Sequence, residues 1–153
     1  DSAFFTRGFL TVRGEMAGED VAVIVCHWPS RFSGPFYRES AARQVKVIKD
    51  SLLNVNQEMK IFVMGDMNDD PVNKSMHVYL QAKPEISLLN KDAKKKDYSS
   101  LKYWKSHIFR RDYLIQQEGQ YKGAPLRTTA GGRWLNGYSD HLPVVMYLVK
   151  EKK

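Results

Sequence analysis

Two short apolar runs enclosing one helical stretch constrain this chain more than any other feature. Val21-Ala22-Val23-Ile24-Val25-Cys26 and Lys60-Ile61-Phe62-Val63-Met64 have the length and β-branched or aromatic content of buried strands. Between them, from Tyr37 to Val55, Ala41, Val45, Ile48, Leu52 and Val55 recur at spacings of four and three, with Arg38, Arg43, Lys46, Lys49 and Asp50 elsewhere. A helix so placed is a crossover, and a crossover joins parallel strands. Both strands then end at one sheet edge, where open α/β sheets place their sites, so His27 and Asp66 are expected to emerge together. The first run is apolar at every position, which predicts burial on both faces.

The second strand runs into Gly65-Asp66-Met67-Asn68-Asp69-Asp70-Pro71, three carboxylates and an amide at the end of a rigid element. The same residues are ordinary turn formers, so the stretch reads equally as an active-site edge and as an Asx-rich turn. Elsewhere, Phe4 to Arg13 reads as a strand that pairs with Val21–Cys26 in a hairpin, interrupted by Gly14 and the residues 17–20. A short amphipathic helix is expected from Asn73 to Leu80. Tyr98, Tyr103, Trp104 and Phe109 interleave with Lys102, Lys105, Arg110 and Arg111, a pattern that suits packing or a surface stacking on bases and holding phosphates. Residues 117 to 139 read as a long, Gly-rich connection of the kind that is often functional. Leu142 to Val149 closes the chain as a strand, directly preceded by Asp140-His141.

With 153 residues, the chain fits one domain with a single core, and we expect one domain over 1–153. Its charge of +7 favours a polyanion or an anionic surface, although Lys91–Lys96 and Lys150–Lys153 supply much of the excess as solvated charge. The single cysteine, Cys26, excludes an intramolecular disulfide and a cysteine-rich metal site and reads as a small buried hydrophobe. No window reaches the roughly 18 apolar residues of a membrane span, and Asp1 to Arg7 has no signal-peptide pattern. The compartment therefore stays open, secretion or the cell envelope included.

His27, Asp66 with Asn68, and Asp140 with His141 are together the parts list of metal-assisted phosphate-ester hydrolysis. Imidazole takes up a proton or stabilises charge on a phosphoryl oxygen, and carboxylates orient water and hold a hard cation such as Mg²⁺. Asn adds a donor and acceptor without further negative charge.

Cys26-His27-Trp28-Pro29-Ser30-Arg31, Gly65-Asp66-Met67-Asn68-Asp69-Asp70-Pro71 and Ser139-Asp140-His141-Leu142-Pro143-Val144 resemble, in order and type, the later motifs of the endonuclease/exonuclease/phosphatase superfamily, the deoxyribonuclease-I-like fold family. The resemblance covers residues 4 to 149. It implies an α/β (α+β) fold, a four-layer α/β/β/α sandwich of two mainly antiparallel sheets, of which this chain is expected to hold the C-terminal half to two-thirds. It implies a phosphodiesterase or phosphatase with Mg as cofactor, Mn or Ca being alternatives, and a nucleic acid, a phosphorylated small molecule or a lipid headgroup as substrate. His27 is then the imidazole on the scissile phosphate, Asp66 the carboxylate that orients or activates the attacking water, Asn68 the residue fixing nucleophile and phosphate, and His141 the general base or transition-state stabiliser. Asp140 joins the metal site, and Arg31 and Arg127 are candidate phosphate contacts. Asp69 and Asp70 are expected only to shape the turn. The family's earlier Asn and metal-binding Glu have no counterpart here, and the nearest candidate for an Asp that orients the catalytic His is Asp112-Tyr113-Leu114-Ile115. A second function class follows from those departures: a non-catalytic, basic polyanion-binding module of the same fold. Salt separates a polymer substrate from a small one, because only a polymer is released steeply as salt rises.

Overall fold

The computed structural model describes residues 7–82 and 100–151, which form a mixed α+β chain in two compact units. The first draws on Asp1–Leu101 and Lys150–Lys153, the second on Lys102–Val149. Residues 1–6, at the head of the expected first strand, and the lysine-rich 91–96 stretch with Tyr98 lie outside the described residues.

In the first unit, β1 (Leu10–Met16) and β2 (Glu19–His27) pair antiparallel through a two-residue turn, Ala17-Gly18. Both turn residues have positive φ, 54° and 75°, the geometry whose twist matches a right-handed hairpin. The strand continues through Gly14 instead of stopping there. Helix α1 (Pro35–Val55) starts with proline in its first turn, where the missing N–H costs nothing, and leads into β3 (Lys60–Asp66). β3 pairs with β2 in parallel, in the sheet order β1-β2-β3, as the crossover requires.

Alternation along β2 decides what is buried. Ala22, Ile24, Cys26 and the following Trp28 are buried with Ala41, Ala42 and Val45 of α1, while Ile61, Val63, Ile48 and Leu52 complete this core in part. Burial pushes the Cys26 thiol up, against a smaller opposing hydrogen bond from Trp28, so it stays protonated at neutral pH. On the opposite face of the first unit's sheet, where an all-apolar strand predicts burial, Val25 is 37% exposed, Val12 53%, Leu10 63% and Met64 44%. Val55, expected in the helix stripe, is exposed at the last helical position, and the stripe begins one turn earlier at buried Arg38.

After β3, the expected short helix is a single wide turn over Ser75–Tyr79. Leu80 beyond it is buried in the core. Glu19 gathers the rest of the unit: Lys150 Nζ lies 2.7 Å from its Oε1, and the Leu101 N–H donates to the same oxygen at 2.7 Å.

The second unit pairs β4 (Lys102–Ile108) antiparallel with β7 (Val144–Val149), with an irregularity between Tyr103 and Lys105. In the basic stretch, rings pack across the pair onto Tyr147 of β7. Trp104 meets Tyr147 edge to face at 6.1 Å, His107 stacks on Tyr147 at 5.7 Å, and Lys105 Nζ sits 4.5 Å over Trp104. The Gly-rich stretch is folded rather than structureless. Ile115 bridges Pro125, and β5 (Thr129–Ala130) pairs with β6 (Arg133–Trp134) across Gly131-Gly132, both at positive φ. Asp112 begins a short 3-10 turn, Asp112–Leu114, and is exposed there rather than in a strand. No helix among the described residues is long and apolar enough to cross a membrane.

Candidate active site

His27 and Asp66 are register partners at the ends of two parallel strands, so their side chains leave the sheet on the same face at the same edge. His27 Nε2 is 3.8 Å from Asp66 Oδ2, within ion-pair reach for a protonated imidazole but too long for a hydrogen bond. The ladder runs one step further, with the Trp28 N–H donating to the Asp66 carbonyl at 2.9 Å. That bond ties the backbones of both residues together.

Chain reversal follows immediately. Asp66 Oδ1 accepts the Asn68 N–H at 2.9 Å, an Asx turn. Asn68 itself takes a left-handed conformation, φ 49°, which Asn tolerates better than most residues. Its side-chain amide donates across to the Trp28 carbonyl at 3.0 Å, stitching the turn after β3 to the turn after β2. Arg31 closes the same corner: Nε donates to the Asn68 carbonyl at 3.2 Å, and Nη2 lies 2.9 Å from Asp70 Oδ2. That ion pair is more than half exposed, so it contributes little to stability and its guanidinium can exchange Asp70 for another anion. His27, Asp66, Asn68 and Arg31 are thus brought together on two adjoining turns.

Asp69 and Asp70, expected to be simple turn formers, differ from each other. Asp70 is exposed, whereas the Asp69 side chain is only 5% exposed and faces Arg38, itself buried. Burial raises the Asp69 pKa, but hydrogen bonds from Ser75 and Asn73 and the Arg38 charge outweigh it and leave the carboxyl below its ordinary range. Sequence reasoning missed Arg38 because a charged helix residue is ordinarily solvated. The available signal was its position three residues before Ala41, on the apolar stripe.

In the second unit, Asp140 and His141 precede β7 in an exposed turn. The His141 N–H donates to Ser139 Oγ at 3.1 Å, and His141 Nε2 is 3.8 Å from Asp140 Oδ1. The Leu126 carbonyl accepts the N–H groups of Tyr138, at 2.8 Å, and Ser139, at 3.3 Å. Arg127, next in sequence to Leu126, is exposed beside this segment. Gly137 permits the contact, since a Cβ there would lie 2.2 Å from the Leu126 carbonyl oxygen.

Among the described residues, no three His, Cys, Asp or Glu side chains gather where a metal ion could sit. Asp66 beside His27 is too small a donor set for a hard cation that takes six oxygen ligands. These residues alone do not make a cation site.

The chain thus combines a mixed α+β fold with a polar cluster at the ends of two parallel strands. A sequence profile of the Endonuclease/Exonuclease/phosphatase family matches residues 1–93 and 85–150, so the chain belongs to that family. No curated protein and no solved structure matched it. The family description names nucleases and phosphatases, enzymes that act on phosphate esters, nucleic acids among them.

Proposed function

We propose that the protein is a metal-dependent phosphoesterase that hydrolyses a phosphodiester or phosphomonoester, with His27, Asp66, Asn68 and His141 in catalytic roles. The observation that carries the reading is the parallel register that brings His27 and Asp66 out side by side, with Asn68 fixed between their two turns. Family membership supports it. Asp66 orients the attacking water through Oδ2, its Oδ1 being held by the Asn68 N–H. His27 donates to a non-bridging phosphoryl oxygen, and Asn68 fixes the phosphate without adding negative charge. His141 serves as general base or stabilises charge that develops on the phosphoryl group. Arg31 and Arg127 contact phosphate, Arg31 by exchanging Asp70 for it.

Magnesium, or Mn or Ca in its place, is the cofactor this reading expects, with Asp140 as one ligand. The described residues do not complete its site. Titrating Mg²⁺ into residues 1–153 in a calorimeter is therefore expected to show only weak binding, in the millimolar range or weaker, roughly as for sparse carboxylate sites. Tight, micromolar binding would show that this chain's own carboxylates suffice. The non-catalytic reading is separated by turnover: a polyanion-binding module binds a phosphodiester polymer and leaves it uncut.

A further inference from the structure

We infer that Arg38 and Asp69 are positioning residues for the strand-end cluster, their buried ion pair fixing the two turns that carry Asn68 and Trp28. The inference rests on the phosphoesterase reading above, in which Asn68 acts from that corner.

Arg38 opens the buried stripe of α1, and its side chain is only 6% exposed. Its Nη1 donates to the carbonyls of Ser30, at 3.0 Å, and Gly34, at 3.2 Å, so it gathers the turn that follows β2. Its Nε lies 3.2 Å from Asp69 Oδ2 yet makes no hydrogen bond, so this contact is an ion pair whose N–H points off the oxygen. Asp69 accepts in addition from Ser75 Oγ, at 2.5 Å, and from the Asn73 amide. One buried pair thus links the start of α1, the turn after β2 and the turn after β3.

Stability alone is a poor reason for such a pair. Two charges lose their hydration on burial, and an apolar pair of similar volume commonly does as well or better. An apolar pair would not, however, bind two carbonyls of one turn while anchoring a carboxylate in the other. The path from this clamp to the site is one residue long. Asp69 follows Asn68, whose left-handed backbone and cross-turn bond to the Trp28 carbonyl both depend on where the turn is held. Lysine cannot replace Arg38 in this, since a single ammonium lacks the planar fork that serves carbonyls and carboxylate at once.

Two readouts on the wild-type protein, Arg38→Met and Arg38→Lys test the inference. Arg38→Met fills the buried volume without charge, and Arg38→Lys keeps the charge should the methionine variant fail to fold. Expected are shifted and faster-exchanging Asn68 side-chain amide resonances in ¹⁵N NMR, and kcat on a phosphodiester lowered about tenfold with KM within about twofold, the pattern of a lost transition-state alignment. A folded variant with Asn68 amide resonances and kcat both at wild-type values overturns the inference. Absence of turnover by the wild type removes the phosphoesterase reading instead, and the Asn68 resonances then decide alone whether the clamp holds the turn.

Discussion

His141→Ala is expected to reduce turnover of a phosphodiester such as bis(p-nitrophenyl) phosphate by at least about a hundredfold, the lower end for losing a positioned acid or base. The geometry makes this a clean test. Backbone groups and one hydroxyl hold the turn before β7, the Leu126 carbonyl accepting the Tyr138 and Ser139 N–H groups and Ser139 Oγ accepting the His141 N–H, bonds that do not involve the imidazole. The ring is exposed, so its removal should change stability by no more than roughly 0.5 kcal/mol. Thermal unfolding should therefore be unchanged while turnover collapses. Unchanged turnover would remove His141 from the mechanism.

Gly65→Ala is expected to do the reverse and abolish the fold of the first unit. Gly65 sits in β3 at φ 121°, a conformation that side chains rarely adopt. A Cβ there would lie 1.9 Å from the Cys26 carbonyl oxygen, an atom of the neighbouring strand that cannot withdraw without breaking the β2–β3 pairing. The cost should reach about 4 kcal/mol or more, the range of the most damaging single substitutions. Against a typical total of roughly 5–15 kcal/mol, most of the stability is lost. Circular dichroism and limited proteolysis would register it, with Gly14→Ala, which meets nothing within 4 Å, as the control. A wild-type melting curve for Gly65→Ala would show that β3 can shift away from Cys26.

Much of this architecture is written in hydrophobic period. The two apolar runs, the 3.6-residue stripe of α1 and the crossover between them dictate a parallel β2–β3 pair, and that register is what sets His27 against Asp66. Other features escape a local reading for identifiable reasons. An all-apolar strand predicts two covered faces, yet Val25, Leu10 and Met64 are exposed in the first unit, since apolar content says what a strand can bury and not which neighbour meets it. Gly-Gly at 131–132 signals a turn as clearly as it signals flexibility, and only the pairing of Thr129 with Trp134 decides for a hairpin. Asp69 and Asp70 are identical neighbours in the sequence, one buried and one exposed. Asn73 and Ser75 bind Asp69 from the following turn, and the charge that faces it is Arg38, 31 positions earlier on another element.

The claim on which the rest depends is that the strand-end carboxylate does chemistry, and Asp66→Asn tests it most directly. Asparagine preserves an Oδ1 acceptor for the Asn68 N–H, so the Asx turn and the parallel register should persist while the carboxylate needed to orient water is gone. The expected result is an unchanged melting temperature with phosphodiester turnover lowered about a hundredfold or more, the scale of a mispositioned reactant. A folded Asp66→Asn protein that turns over at the wild-type rate would contradict it.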